Sequence, residues 1–325
     1  MTRYLVFVIC VLGAALAPLA AVAQNTSSHT ITISPAPYDW QQIVGHFDAL
    51  ADAIETTSVE GATTEPFDPA ALHDFRIVCA EPLVTWAREL ILADCRDLAD
   101  CVSRKASMER IARGLAEEVS VRLDDDAPDA DVFLRPGMEL KSSLPDGAEA
   151  LSLRSAHDQW LSAGSIPKKV MANENAVARD EARIMDRVWC DMVRENAKAA
   201  ISHVEEFGFP SDVPNSGQGH LVTALVNIAI HVAWNPQLTG PLRAASDEAF
   251  DQGRLSGYHA AYMVDIDTMA NLSAQRIGFL WACDGASAYP SPPLIDHHEA
   301  AELRRQYGLP ALEATQASRS RQCMS

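Results

Sequence analysis

The sequence GQGHLVTALVNIAIHVAW, which spans Gly217–Trp234, is apolar around nearly its whole circumference when it is wound as a helix. A helix that is apolar on every face lies inside a globule or a membrane, and this one is too short and too polar to span a bilayer. The sequence therefore predicts a buried central helix around which the other segments pack. Three polar side chains lie along one line of this helix: His220, Asn227 and His231.

Buried polar side chains need hydrogen-bond partners, so neighbouring segments should bring polar groups to this line. The helix predicted before it carries Asp191 and Asn196, and the helix predicted after it carries Asp265, with Gln275 at its end. A histidine with a carboxylate partner has the chemistry of a general base, and two carboxylates with a histidine that of a metal site. The same residues also suit a polar network that only fixes helix packing.

Two hypotheses about function follow, and the sequence leaves both open. In the favoured one the protein is a binding or interaction module in which His231 belongs to a packed network. In the alternative it is a hydrolase-like enzyme that uses His231 with Asp265 or Asp191 as general base or metal ligands. We favour the first because the chain shows no nucleophile motif, no metal-ligand spacing and no phosphate loop, and we predict neither a cofactor nor a dedicated metal site. The candidate binding residues are Asn196, Asn227, Gln275 and Tyr262.

Helical periodicity recurs along the chain and predicts an all-α protein. Apolar side chains repeat at helical spacing in several segments, whereas apolar–polar alternation is confined to the short stretch Thr30–Ile33. We expect an N-terminal helical region over 38–123, an acidic linker rich in Pro and Gly over 124–147, a helical domain over 148–315 and a C-terminal tail over 316–325. Limited proteolysis should cut first within that linker.

The N-terminus has the features of a signal peptide. Arg3 is followed by an apolar core over Leu5–Leu19 and by the small-x-small site Ala21–Ala23. We expect cleavage after residue 23, a flexible leader over 24–37, and a periplasmic or secreted protein without stable membrane insertion. The net charge of −18 argues against nucleic acid as a partner, since that surface demands a basic face. A protein or small-molecule partner in the cell envelope remains the expectation.

Six cysteines remain after removal of the signal peptide, and an even number in an exported chain predicts disulfides. Six cysteines allow 15 pairings. Cys95 and Cys101 lie too far apart to bond within a continuous helix, so they pair only if residues 96–100 form a turn.

Residues 158–312 resemble a bacterial family known as a domain of unknown function, the DUF6624 type. The resemblance rests on short motifs in a fixed order, each weak alone. They are Asp158-Gln159, Asp191 with Asn196, Gly208-Phe209-Pro210, Ile230-His231-Val232, Ala261-Tyr262-Met263-Val264-Asp265, Gln275 with Gly278, Leu294-Ile295-Asp296, and Arg304-Arg305 with Gly308–Leu312. It implies a compact helical domain and no particular activity. Ile230 and Phe279 replace polar residues of the family pattern. Within the family-like region we expect Cys190 to pair with Cys283.

Overall fold

The computed structural model describes most of the chain from residue 41 onward. The described residues are 41–60, 78–79, 81–93, 95–126, 150–152, 154–155, 158, 176–214 and 216–323. The predicted signal peptide, leader and Thr30–Ile33 stretch lie outside them, as do residues 127–147 of the predicted linker. The first residues of that linker, 124–126, continue a helix.

The fold is predominantly α-helical, as the sequence predicts. Short turns connect α5 to α6, α6 to α7 and α8 to α9, and one small hairpin is the exception to helical structure in the described part. The elements are α1 Gln41–Thr56, α2 Leu83–Leu92, α3 Leu98–Asp126, α4 Ala176–Phe207, α5 Gly219–His231, α6 Pro236–Asp251, α7 Gly257–Leu272, β1 Trp281–Asp284, β2 Ser287–Pro290, α8 His297–Gln306 and α9 Leu312–Cys323. Among the described residues, no helix combines the length and apolar character needed to cross a bilayer.

Helix α5 occupies the position predicted for it, inside the core. Leu221, Leu225, Ile228 and Ala229 are completely buried, and α4, α6 and α7 all pack against this helix. The helix is shorter than the predicted 217–234 because the backbone turns after His231, where Val232 N–H donates to Ala229 O at 3.2 Å. The turn delivers the chain to Asn235, whose side chain accepts the Gln237 N–H and caps α6.

The N-terminal helices share this core. In α1, Ile43, Phe47 and Leu50 are completely buried, and α1 packs on α3 and α4. Arg104 on α3 forms an ion pair with Asp180 on α4 at 2.9 Å, with both side chains largely buried. The regions on either side of the predicted linker therefore belong to one hydrophobic cluster.

Residues 281–290 form a strand pair that the sequence pattern does not predict. Strands β1 and β2 form an antiparallel hairpin in which Cys283 lies opposite Ala288. Residues 316–323 of the predicted tail belong to helix α9, which extends from Leu312 to Cys323. The helix is attached to the hairpin, since Gln316 Nε2 donates to Ala288 O at 2.9 Å.

Three disulfides link distant and local parts of the fold. They join Cys79 to Cys190, Cys95 to Cys101 and Cys283 to Cys323. The predicted Cys190–Cys283 pair is wrong, because Cys190 on α4 faces the segment before α2 while Cys283 on the hairpin faces α9. The local pair needs the turn that the sequence analysis required, and Asp97 supplies it by accepting the Asp100 N–H ahead of α3.

Candidate functional site

The side chain of His231 meets a carboxylate that the sequence analysis did not assign to it. Its Nδ1 lies 2.6 Å from Oδ2 of Asp158, and the Asp158 side chain is fully buried while that of His231 is 4% exposed. A carboxylate on Nδ1 fixes the orientation of the ring. Nε2 is then the nitrogen through which the ring can act on another group. The position on Nδ1 belongs to Asp158, whereas the predicted partners Asp265 and Asp191 bind other groups.

Two tryptophans complete the surroundings of this pair. Trp189 on α4 donates its indole N–H to Oδ1 of Asp158 at 3.0 Å, and its ring meets the His231 ring edge-on at 5.3 Å. Trp234 donates its indole N–H to the backbone carbonyl of His231 at 3.0 Å. Residue 158 is thereby joined to α4 and to the end of α5, and the Asp158–His231 pair itself is nearly closed to water.

Asp191 and Asn196, the α4 candidates, have other partners. Asp191 accepts from Arg187 at 3.1 Å and from Arg194 at 2.7 Å. Asn196 is fully buried and accepts from Arg154 at 3.2 Å. Asp191 therefore balances two guanidinium groups, and Asn196 holds a second residue of the 150–158 segment against α4.

Asp265 binds the backbone of the loop over residues 276–279, which follows α7. Its two oxygens accept the backbone N–H groups of four consecutive residues, 276–279, at 2.7–2.9 Å. Burial raises the pKa of Asp265, and the four amides oppose that shift because they bind the ionised carboxylate. Gly278 lies in this loop with φ +85°, and a Cβ there would touch Leu312 at 3.1 Å.

Gln275 and Arg304 hold the same loop from its other sides. The fully buried Gln275 amide donates to Leu280 O and Pro292 O and accepts the Leu280 N–H. Arg304, itself buried, donates to the carbonyls of Ile277 and Gly278. Three residues of the family-like motifs, Asp265, Gln275 and Arg304, thus meet at one loop, and all three bind its backbone.

The side chains of the remaining candidates among the described residues form no hydrogen bond with His231. Tyr262 stacks on Phe279 with ring centroids 5.1 Å apart, and burial raises its pKa above the ordinary value. Asn227 is half-buried one turn before His231. His220 lies in the first turn of α5, where burial lowers its pKa, so the imidazole is neutral at pH 7.

A surface pocket of about 700 Å³ opens beside this network, between α4, the segment before α2 and the junction of α5 and α6. Arg187, Asp191 and Arg194 supply the charged wall on α4, and Glu81 adds a second carboxylate from the segment before α2. The Arg194 guanidinium lies 5.8 Å from the centre of the Trp234 ring. Its other lining residues are Cys79, Pro82, Leu83, Asn235, Pro236 and Gln237.

A second histidine–carboxylate pair lies at the start of α7. Nδ1 of His259 is 2.6 Å from Oδ2 of Asp212, and the Asp212 carboxylate also accepts the backbone N–H of Ser256 at 2.6 Å. The sequence analysis missed this pair because its members are 47 residues apart and belong to no motif. The signal for Asp158, by contrast, was present in the Asp158-Gln159 motif.

Within the described residues, no group of three or more His, Cys, Asp or Glu side chains is arranged to hold a metal ion. Comparisons with protein-family models, with curated proteins and with solved structures give no match for this chain.

Proposed function

We propose that the protein is an exported helical binding module whose ligand occupies the pocket lined by Arg194 and Trp234. The pocket geometry carries this proposal. Its volume falls in the range of small-molecule sites, and charged and amide side chains line it beside apolar surface from Leu83, Trp234 and the two prolines. Export is supported by the three disulfides, and the resemblance to the DUF6624-type family remains part of the proposal.

The ligand class follows from the groups that the pocket presents. Arg194 donates to Asp191 and to the carbonyl of Cys79, and a guanidinium has five N–H groups. Its side chain is 26% exposed, so donors remain for a ligand oxyanion. Trp234 and Pro236 offer flat apolar surface next to it. These features favour a small anion with an apolar, planar part.

The Asp158–His231 network supports the pocket from beneath. Trp234 is held through the His231 carbonyl, and Trp189 through Asp158. Truncating the His231 side chain keeps the carbonyl that holds Trp234 and removes the contact with Asp158, so it should loosen the core beside the pocket. This role agrees with the favoured hypothesis, in which His231 is a packed network member.

Benzoate is a suitable first probe, because it joins a carboxylate to a planar ring. Binding should be measured by calorimetry and by the rise in melting temperature, for the wild type and for Arg194→Met. The control is Arg305→Met, which removes an exposed arginine outside the pocket. At ten times Kd, benzoate should stabilise the wild type and the control by about 1.4 kcal/mol, and Arg194→Met should lose most of that effect. Equal stabilisation of all three proteins would refute the assignment.

The 2.6 Å contact between His231 and Asp158 favours a second candidate function, a hydrolase-like enzyme with Asp158 in place of the partners first predicted. Activity that is lost in His231→Gln while the melting temperature is kept would support it. A loss of stability without any measurable activity in the wild type favours the binding module.

A further inference from the structure

The second histidine–carboxylate pair has features that the first lacks. In both, an aspartate Oδ2 lies 2.6 Å from a histidine Nδ1. The His231 side chain is 4% exposed, whereas that of His259 is 24% exposed. A general base must reach the proton that it removes, and of these two histidines His259 is the one open to water.

The orientation of Asp212 is fixed by several bonds. Its carboxylate accepts the backbone N–H and the hydroxyl of Ser256 as well as the His259 ring. Burial raises the pKa of Asp212, but these hydrogen bonds outweigh it and hold the pKa below its ordinary value. The carboxylate is therefore ionised at neutral pH and able to stabilise a protonated His259.

The backbone around the pair is anchored on both sides. Asp212 N–H donates to Arg254 O at 3.2 Å, and the Ser211 hydroxyl donates to the same carbonyl at 2.7 Å. On the helix side, Gly257 approaches Tyr307 so closely that a Cβ would lie 2.0 Å from the Tyr307 carbonyl oxygen. The two partners thus belong to segments that are packed in place, as a preorganised site requires.

An aromatic surface adjoins His259. Tyr258 meets the His259 ring edge-on at 5.2 Å and the Phe279 ring edge-on at 5.2 Å. Tyr258 is 51% exposed, and Phe279 is partly exposed beside it. A planar group that packs on Tyr258 would therefore lie within reach of the histidine.

We propose that Asp212 and His259 form a general-base site that activates water against a carbonyl compound carrying an aromatic group. His259 Nε2 takes a proton from water as the water oxygen bonds to the carbonyl carbon. The carbon–oxygen bond to the leaving group then breaks, and the proton on Nε2 passes to the leaving oxygen. The net reaction consumes one ester and one water and yields an acid and an alcohol. Asp212 is the positioning residue.

Water is the nucleophile in this assignment because the Ser256 hydroxyl is already engaged. It donates to Asp212 and caps α7 by accepting the His259 N–H. The site is independent of the Arg194 pocket, so either proposal can fail alone.

The probe is p-nitrophenyl acetate, whose aromatic leaving group suits the Tyr258 surface. Hydrolysis should be compared between the wild type, His259→Gln and Asp212→Asn, with circular dichroism to confirm that each is folded. His298→Gln is the control, because His298 is an exposed histidine outside either pair. We expect a loss of about tenfold or more in His259→Gln and a rate near wild type in the control.

A purely structural role for Asp212 is tested by separating kcat from KM. In folded Asp212→Asn, kcat should fall while KM stays near the wild-type value, because the Tyr258 surface is unchanged and only the histidine loses its carboxylate. Two results would overturn the proposal. One is a wild-type rate no higher than that of free imidazole at the same histidine concentration, and the other is an unchanged rate in folded His259→Gln.

Discussion

Asp158 Oδ2 and His231 Nδ1 meet at 2.6 Å although 73 residues separate them in the chain. Both side chains are almost completely closed to solvent, and Trp189 donates to the other oxygen of the same carboxylate. The pair therefore links residue 158, the long helix α4 and the end of the central helix α5. Removal of His231 leaves the buried Asp158 carboxylate with Trp189 as its remaining partner, and removal of Asp158 takes the partner of Nδ1 from the buried His231 ring.

We predict that His231→Ala lowers the free energy of unfolding by about 1–3 kcal/mol, because the buried Asp158 carboxylate loses its histidine partner. Asp158→Asn should be destabilising too, and the double variant should cost less than the sum of the two. Denaturant unfolding of the four proteins gives the coupling energy, which we expect to be about 0.5–3 kcal/mol.

Asp265→Asn serves as the comparison for the double-mutant cycle of His231 and Asp158. An amide cannot accept four N–H bonds as the carboxylate does, so the variant should also be less stable. Its effect should add to that of His231→Ala within about 0.5 kcal/mol, because the two side chains belong to separate networks. Strong coupling between residues 231 and 265, with none between 231 and 158, would contradict the assigned pairing.

Gly257 provides a second test, of backbone packing. A Cβ at this position would lie 2.0 Å from the carbonyl oxygen of Tyr307, and backbone atoms cannot rotate away as a side chain can. We expect Gly257→Ala to cost about 2–3 kcal/mol, measured as a lower midpoint of denaturant unfolding.

The matched control is Gly240→Ala, on α6. No atom lies within 4 Å of the Cβ built at this position, and alanine is the better helix former by about 0.8–1.0 kcal/mol. Gly240→Ala should therefore be neutral or stabilising. The same loss in both variants would mean that the contact with Tyr307 is not what makes Gly257 necessary.

The three disulfides should differ in how much each stabilises the fold. The linked cysteines are 111 positions apart in Cys79–Cys190, 40 in Cys283–Cys323 and 6 in Cys95–Cys101. With the chain-entropy model, their removal should cost about 5, 4 and 2 kcal/mol in that order. Paired Cys→Ser variants and denaturant unfolding test the ranking. Peptide mapping without reduction tests the connectivity, and a peptide joining Cys190 to Cys283 would restore the pairing expected from the sequence.

The successes and failures of the sequence analysis have a common physical origin. Helices such as α1 and α5 repeat their apolar side chains every three or four residues, so a local pattern predicts them. Strand β1 has four residues whose burial does not alternate, and it therefore leaves no period-two signal. The partner of His231 and the pairing of Cys190 depend on residues far away in the chain, which no local pattern specifies.

The same distinction applies to the candidate site. His231, Asp265 and Gln275 are candidates because they are polar residues on an apolar helix or at its end, and all three are indeed buried. It could not tell that the last two bind a loop backbone while the first binds Asp158. Polarity within an apolar helix predicts burial with a partner, and the identity of that partner requires the tertiary structure.

Asp186 on α4 should make stability depend on pH. Burial raises its pKa from 3.8 to about 7, so the folded protein keeps a proton that the unfolded chain releases near pH 4. Between pH 4 and 7 the folded state binds more protons, and the free energy of unfolding falls as pH rises. A shift of that size corresponds to about 4 kcal/mol at most. Because the side chain is only half-buried, we expect about 1–2 kcal/mol.

Asp186→Asn removes this titration. The variant and the wild type should be similarly stable at pH 4, and the variant should become the more stable one as pH rises to 7, after which the difference should stay constant. Denaturant unfolding at pH 4, 5.5, 7 and 8 measures it, with Glu205→Gln as the exposed carboxylate control on the same helix. A difference that is the same at all four pH values would show that Asp186 is ionised in the folded protein throughout. In that case, nearby charges or hydrogen bonds would have to offset the free-energy cost of burying the ionised Asp186 carboxylate.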